Sequence, residues 1–298
     1  MQNNDEMTLK ASALAVFLCC IFGANAVAIK FSLTGLGAFT AAGIRFAIAA
    51  VVIFTWAWYR KISLGLTRKQ LCQMLILSAI FIVQFTCFYH GLDKTTASHG
   101  VLISNLLPFG VLILAHFFIP GERVSFKKGV GIIFGFSGVF LLFFDSQDIA
   151  SSLKSGDMIV LVAVLLWSIN VIFIERINQN YHPVQITFYP MIFSTPVFLL
   201  CGFLWDDQMI LMMDATVIKA VLYQSVIAAS FGFITWNTLL KRFGASSLHS
   251  FIFIMPLAGV LASVMLLGES ITSFLATSIA FIVIGIVIVN FKIRKRPV

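Results

Sequence analysis

Residues 85–142 read FTCFYHGLDKTTASHGVLISNLLPFGVLILAHFFIPGERVSFKKGVGIIFGFSGVFLL, and the chain contains this pattern twice. The run from Phe231 to Val289 repeats its landmarks in the same order. The matched landmarks are Ala97-Ser98 with Ala245-Ser246, Pro108 with Pro256, Gly121-Glu122 with Gly268-Glu269, and Gly138 with Gly285. Self-similarity over a segment of this length indicates an architecture of two related units rather than a local motif.

The composition is typical of an integral membrane protein. Of the 298 residues, 60% are hydrophobic and 11% are charged, and the mean hydropathy is +1.01, whereas soluble proteins carry about 25% charged residues. A helix that crosses the bilayer needs about 20 apolar residues. Runs of that order lie near residues 10–30, 36–58, 69–91, 95–119, 126–144, 155–174, 185–204, 215–240, 245–267 and 271–291. We therefore predict an all-α integral membrane protein with ten transmembrane helices.

The number of spans fixes how the two units are related. Ten spans shared between two similar units give five each, and because five is odd, the second unit must enter the membrane in the opposite sense. We expect two inverted five-helix repeats, one at 8–145 and the other at 155–291. Inverted repeats are typical of transporters that expose a central site to one side of the membrane and then to the other.

The basic residues predict the orientation. With a cytoplasmic N-terminus, fifteen Lys and Arg residues fall in cytoplasmic segments and four fall outside, while Arg45 lies inside a span. Cytoplasmic loops carry the excess of positive charge in membrane proteins, so both termini are expected in the cytoplasm of a multi-pass cell (inner) membrane protein. This distribution accounts for the net charge of +8 without a nucleic-acid partner; the lipid bilayer is the expected partner.

The sequence does not favour enzyme chemistry. It contains no Ser/His/Asp cluster, no paired carboxylates and no histidine metal ligands at usable spacing, so we predict no catalytic residue, no metal and no cofactor. The loop pattern GxxxxGK[ST], which would bind ATP, is absent. The five cysteines all fall in spans, so they are not a disulfide framework. A non-transporting receptor or scaffold remains the alternative class, although no extramembrane domain is available to receive a signal.

Further motifs relate the chain to a known family. The first helices of the two units carry Phe22-Gly23-Ala24-Asn25 and Trp167-Ser168-Ile169-Asn170, the second helix carries Arg45-Phe46, and the fourth carries Pro108 before Gly121-Glu122. With these motifs the chain resembles the EamA family of the drug/metabolite transporter (DMT) superfamily over residues 10–291. The resemblance implies a ten-helix bundle that exports small metabolites, often amino acids, through a cavity lined by helices 1, 3, 4, 6, 8 and 9. Phe22 departs from the family's Trp, and Pro190 lies near the position equivalent to Arg45.

Polar and aromatic side chains within the spans are the candidate site residues, because polar groups in hydrocarbon either join helices or line a pathway. The candidate substrate-binding residues are Asn25, Gln84, Phe88, Ser98, Asn105, Asn170, Phe231, Trp236, Asn237, His249 and Phe253. For Asn25 and Asn170, a role in joining helices is an equally good interpretation. Arg45 is interpreted as a brace for carbonyls of a neighbouring helix or as the partner of a substrate carboxylate.

Pro108 and Pro256 are the candidate hinges. Each lacks an amide hydrogen and frees a backbone carbonyl at membrane depth, and symmetric breaks of this kind indicate the site of a transporter. A packing kink is the alternative.

The polar residues also suggest the cargo. Every acidic residue lies in a loop or near a span end, which disfavours a carboxylate proton relay, while His99, His116 and His249 leave proton coupling open. Amides, hydroxyls and rings suit a small neutral or zwitterionic metabolite. We expect a secondary transporter or facilitator that exports such a small-molecule substrate, for example an amino acid, by alternating access. Drugs, amines or an amphiphilic compound are the alternative substrates, and the sequence does not distinguish a monomer from a dimer.

Overall fold

The structure, a computed structural model, describes residues 8–119, 124–145, 151–177, 180–249 and 251–290. Within these ranges the chain is helical except for short connections. The helices are α1 (Leu9–Leu33), α2 (Ala38–Tyr59), α3 (Arg68–Asp93), α4 (Ala97–Ser104), α5 (Leu107–Phe118), α6 (Phe126–Asp145), α7 (Ser151–Ile177), α8 (Pro183–Trp205), α9 (Ala215–Leu222), a π-helix (Tyr223–Gly232), α10 (Phe233–His249), α11 (Ile254–Leu267) and α12 (Ser273–Asn290).

The helices are those of a multi-pass membrane protein. Seven segments of the described chain are long and apolar enough to cross a bilayer: Leu9–Leu33, Ala38–Tyr59, Arg68–Asp93, Ala97–Phe118, Ser155–Ile177, Pro183–Trp205 and Ala215–Leu239. The apolar helices α11 and α12 are shorter. Large apolar side chains such as Phe54, Phe117 and Phe203 are exposed on the outside of the bundle. An exposed apolar surface of this extent requires lipid around it.

Side-chain caps define where several helices begin. Thr67 and Gln70 form a capping box at the start of α3, and the hydroxyl of Thr96 accepts a hydrogen bond from the amide of His99 at the start of α4. These caps satisfy amides that have no partner inside the helix. They explain why the polar connections before α3 and α4 end at these residues.

The connection between the eighth and ninth predicted spans differs from expectation. The sequence predicts a turn between 240 and 245, but α10 continues to His249 and the chain turns at residues 251–253. The reason lies in the repeat itself, because Gly244 occupies the position that Thr96 has in the first unit. Glycine has no side chain that could cap a new helix, so nothing favours the end of one helix and the start of another at this position.

The helix pairs follow the sequence repeat: when each helix is replaced by its counterpart in the other unit, the same pairs result. Helix α6 packs along α12, and α2 packs along α8, so each of these helices contacts its own counterpart. Helix α1 packs against α11, and α7 packs correspondingly against α4 and α5. This is the contact pattern that two similar units would produce.

Glycines allow the helices of the α6 and α12 pair to approach closely. A Cβ atom at Gly131 would lie 2.6 Å from Val289 Cγ2 and 2.8 Å from the carbonyl oxygen of Gly285. Nothing lies within 4 Å of the equivalent position at Gly129, two residues earlier on the same helix. Small residues at such a crossing let the backbones approach, which is a main source of helix association in lipid.

We predict that Gly131→Ala destabilises the protein while Gly129→Ala does not. The added methyl group at Gly131 has no space, and overpacking of this kind costs about 1–3 kcal/mol. At Gly129 the same change only raises helix propensity, by up to about 1 kcal/mol. Thermal unfolding in detergent micelles measures both. Equal melting temperatures for the two variants would show that the crossing is not tight.

Candidate functional site

A chain of buried hydrogen bonds joins four helical segments at membrane depth. Arg45 Nη1 on α2 donates to the hydroxyl of Tyr89 on α3 at 3.2 Å, and this hydroxyl donates to Gln224 Oε1 on the π-helix at 2.9 Å. Gln224 Nε2 then donates to the carbonyl oxygen of Ala28 on α1 at 2.9 Å. We call Arg45, Tyr89, Gln224 and the Ala28 carbonyl the central network. The sequence suggested Arg45 as a brace or as the partner of a substrate carboxylate, whereas Tyr89 and Gln224 are not among the candidate substrate-binding residues.

Arg45 carries the only charge of the central network. Its side chain is 1% exposed, and its guanidinium carbon lies 5.3 Å from the centroid of the Phe46 ring and 5.8 Å from that of Phe85. Within the described ranges Arg45 forms no ion pair and donates no hydrogen bond to a carbonyl, and its buried Nε has no hydrogen-bond partner. Placing an arginine in hydrocarbon costs about 3 kcal/mol on the helix-insertion scale, and cation–π contacts recover part of this cost. The brace of neighbouring carbonyls that the sequence suggested is therefore not what the structure shows.

The π-helix contributes Gln224 from an unusual backbone. Ten residues, Tyr223–Gly232, adopt the wider π conformation between α9 and α10. Departures of this kind are rare and occur frequently at functional sites. Ser225 and Ser230 in the same segment are fully buried, and the Ser230 hydroxyl donates to the carbonyl of its own helix at Ser225 at 2.7 Å. Gln224 and Ser230 also donate to the carbonyl oxygens of Ala28 on α1 and Ala49 on α2. The segment thus turns polar side chains toward both helices.

Two of the predicted residues bond to each other. Asn170 Nδ2 on α7 donates to Gln84 Oε1 on α3 at 3.2 Å, and both side chains are buried. Phe88, one turn after Gln84, packs edge-on against Trp167 at a centroid distance of 6.4 Å. The structure therefore brings Gln84, Phe88 and Asn170 together at the contact between α3 and α7.

A second group of predicted residues lies where α1 meets α10. Trp236 packs edge-on against Phe22 at 5.8 Å between centroids. Asn25 lies one turn after Phe22, and its buried Oδ1 has no hydrogen-bond partner in the described structure. Asn237 Nδ2 approaches Thr187 Oγ1 of α8 at 3.4 Å.

The remaining predicted residues are dispersed. Asn105 Nδ2 donates to the carbonyl oxygen of Val101 in its own helix at 2.8 Å, and Phe253 packs against the main apolar core. Phe231 is 43% exposed on the outer surface of the bundle. The side chain of His249 lies outside the residues that the structure describes.

Both predicted hinge prolines follow a break in a helix. Pro108 is the second residue of α5, directly after the break that separates α4 from α5 at Asn105 and Leu106. Pro256 is the third residue of α11, directly after the turn at residues 251–253. Proline is tolerated in a first helical turn because the missing amide hydrogen has no partner there. The fourth and ninth predicted spans are therefore interrupted at equivalent places.

Two carboxylates from the second unit hold the first turn of α4. Glu269 Oε1 accepts from the amide of Ala97 at 2.8 Å, and its Oε2 accepts from the amide of Ser98 at 3.0 Å. The fully buried carboxylate of Asp157 on α7 accepts from the hydroxyl of Thr95 and lies 2.9 Å from His99 Nδ1. We call these contacts of Glu269 and Asp157 the α4 clamp.

Ser98 makes a second contact with the other unit, in addition to the bond from its amide to Glu269. Its hydroxyl lies 2.5 Å from the hydroxyl of Ser263 on α11, so this predicted residue closes the contact between α4 and α11. The burial of Asp157 was not apparent from its position near a predicted span end. The repeated Gly-Glu pair that contains Glu269 was the signal that could have identified the other carboxylate.

Comparison with known proteins places the chain among transporters. A family model described as the EamA-like transporter family matches residues 9–144 and 154–291. The chain is 29% identical over 282 residues to an uncharacterized transporter of Archaeoglobus fulgidus, with 92% of this chain and 95% of that protein covered. It is 26% identical over 298 residues to a protein of Salmonella typhimurium named "Probable amino-acid metabolite efflux pump", with 97% and 98% covered. A protein of Escherichia coli with the same name is 25% identical over 298 residues, with the same coverage.

A solved structure shares the fold. One chain of a crystal structure superposes on this protein with a TM-score of 0.71 at 16% sequence identity, and the match covers 94% of this chain and 96% of the other. At this identity the likeness concerns the fold alone.

We predict that the contact between Gln84 and Asn170 is energetically coupled. Each of Gln84→Ala and Asn170→Ala leaves the other amide without a partner, so the double variant should lose less stability than the sum of the single variants. Interhelical hydrogen bonds in membrane proteins contribute about 0.6 kcal/mol on average. A double-mutant cycle on equilibrium unfolding measures the coupling, with Gln84 and Asn237 as the control pair. Equal coupling in the two cycles would contradict the contact.

Proposed function

Because the chain belongs to the EamA-like transporter family, we propose that it exports a small zwitterionic metabolite, an amino acid, by alternating access. The family and the relatives are named as transporters or efflux pumps, so the chain is a multi-pass membrane transporter and not an enzyme. The bacterial relatives point to the inner membrane. Two of them are named for amino-acid metabolites, which supports the proposed substrate class.

The central network is the observation that carries the proposed substrate class. It offers a guanidinium, a phenol and an amide at membrane depth, and its members come from α2, α3, the π-helix and α1. A solute with a carboxylate and further hydrogen-bonding groups matches these partners. Cationic drugs and amines, the alternative substrates, fit less well because the buried charge of Arg45 repels them. A solute that carries a carboxylate, as an amino acid does, is therefore favoured over a purely cationic one.

Alternating access is supported by the way the two units meet at one end of the bundle. Helix α4 of the first unit packs against α11 of the second at the end that carries the α4 clamp. In our proposal residues 8–145 and 155–291 are inverted five-helix repeats with ten spans in total. Two inverted units can expose a central site to one side of the membrane and then to the other.

The orientation follows from the basic residues. With both termini in the cytoplasm, as the excess of Lys and Arg in the connections indicates, the α4 clamp lies at the outer face. The structure then corresponds to a state that is closed to the outside. In this scheme Pro108 and Pro256 mark the hinges, because each follows the interruption of an equivalent span.

Proton coupling has a specific candidate in this scheme. Among the histidines singled out from the sequence, His99 has a buried acidic partner, since its Nδ1 lies 2.9 Å from Asp157 Oδ2. Histidine is the side chain whose intrinsic titration lies nearest to neutral pH. His99 is therefore the first residue to test for coupling, ahead of His249.

We predict that the purified protein exchanges amino acids across liposomes without ATP. Liposomes loaded with one unlabelled L-amino acid at millimolar concentration are diluted into trace amounts of its radiolabelled form, and the proteinogenic amino acids are tested in turn. Counterflow of at least one labelled amino acid is expected, and protein-free liposomes are the control. A strict requirement for ATP, or no counterflow for any amino acid, would refute the proposal.

We predict that Glu269→Gln opens the outer end. The neutral side chain keeps one acceptor but loses the charge, and hydrogen bonds to charged groups contribute about 1.5–3 kcal/mol. Hydrogen exchange at the amides of Ala97 and Ser98 should therefore accelerate by roughly tenfold or more. Mass spectrometry of peptides that cover α4 measures this exchange.

Asp206→Asn is the matched control for this experiment. Asp206 caps α2 through the amides of Phe39 and Thr40 at 3.2 and 2.9 Å, but it lies between helices that stay paired in our scheme. Its replacement should accelerate exchange at the start of α2 and leave α4 unchanged. If Glu269→Gln leaves exchange in α4 at the wild-type rate, the carboxylate does not close this end.

A further inference from the structure

We propose that Arg45 is the anchor for the carboxylate of the transported solute. This inference rests on the proposed function and adds to it the residue that recognises the substrate class. The anchor is the edge of the guanidinium that the central network leaves unused.

The guanidinium of Arg45 has unused donors in a fixed geometry. Arginine carries five N–H donors and remains charged in proteins. Among the described contacts one hydrogen bond is made, to the hydroxyl of Tyr89, and the buried Nε has none. A guanidinium binds a carboxylate through two parallel hydrogen bonds, which is the arrangement that such free donors allow.

The neighbouring aromatic rings determine how a ligand can approach. The guanidinium carbon lies over the rings of Phe46 and Phe85, within 6 Å of each centroid. The hydroxyl of Tyr89 holds one nitrogen and is itself held by Gln224. The guanidinium is therefore fixed in place before a ligand arrives, and its remaining edge is the polar surface that it can offer. Preorganisation of this kind reduces the entropy that binding must overcome.

No carboxylate of the described residues takes this position. Within the described residues Arg45 makes no ion pair, and the acidic side chains of the α4 clamp bind the first turn of α4 instead. A buried cation without a counter-ion is unfavourable in a low-dielectric interior. The carboxylate of a solute would supply the missing counter-ion. The position beside the guanidinium of Arg45 therefore favours an anionic group.

The site is closed in this conformation, because Arg45 is 1% exposed. Its contacts cross between units, since Tyr89 and Arg45 belong to the first five-helix unit and Gln224 to the second. A movement between the units would therefore separate Gln224 from Tyr89 and expose the guanidinium. Transport and access to the carboxylate anchor thus depend on the same contact.

The test compares amino acids with their methyl esters on four proteins. The twenty L-amino acids and the methyl ester of each amino acid that stabilises the wild type are screened by thermal shift in detergent. We expect the amino acids, but not the esters, to stabilise the wild type, because the ester lacks the carboxylate. Arg45→Gln should weaken amino-acid affinity at least tenfold and abolish the preference for the acid over the ester. Arg45→Lys keeps the charge without the fork and should give an intermediate loss.

Arg242→Gln is the matched control. Arg242 also stacks on a ring, that of Phe243 at 5.2 Å, but it lies on the exposed side of α10, so its replacement should leave the acid-to-ester preference unchanged. The inference is overturned if the wild type binds the ester as tightly as the acid, a result that does not depend on the folding of any variant. It is also overturned if a folded Arg45→Gln protein keeps the preference. If neither acids nor esters bind and no counterflow occurs, the proposed function itself fails.

Discussion

The hydrogen-bond chain from Arg45 to the carbonyl of Ala28 holds the centre of the protein together. It joins α2, α3, the π-helix and α1 where no water is available to replace a lost partner. Each hydrogen bond of this chain joins two different segments, so the positions of the four segments depend on one another. The apolar packing around them, with Phe46 and Phe85 beside the guanidinium, is compatible with many arrangements. The polar chain selects one of them.

At the end of the bundle where α2 and α4 begin, the helices are held by carboxylates. Carboxylates occupy the amides that begin a helix, Asp206 at α2 and Glu269 at α4. Such contacts combine charge with direction, because an anion is favoured at the positive end of a helix dipole. The two caps differ in the length and packing of the helices that they hold. Helices α2 and α8 are long and pack extensively against each other, whereas α4 is a short segment that ends at Ser104. A cap on a short segment is easier to release than a cap between two long, paired helices.

Much of the architecture could be predicted from the sequence, because the hydrocarbon core requires long apolar helices and the repeat relates them. Pro108 and Pro256 lie directly after the breaks in the fourth and ninth predicted spans. The rotation of each helix about its own axis, which decides which residues face the protein and which face lipid, could not be predicted. The apolar residues of α1 are not confined to one face, so its sequence does not indicate which side is buried. The exposure of Phe231 on the π-helix and the burial of Asp157 on α7 likewise do not follow from their sequence positions. The side-chain partner of Arg45 lies on another helix, and residue spacing within one helix carries no information about it.

The glycine crossing of α6 and α12 has a consequence for the origin of the fold. The position of a Cβ at Gly138 lies 2.9 Å from the carbonyl oxygen of Ser278, and that at Gly285 lies 2.7 Å from the carbonyl oxygen of Gly131. The repeat relates Gly138 to Gly285 and Ser278 to Gly131, so the two contacts are the same contact seen from either partner. Reciprocity of this kind defines the interface of a two-fold symmetric homodimer. A five-helix ancestor could associate with a second copy of itself through this surface, and gene duplication with fusion would then preserve the interface inside one chain.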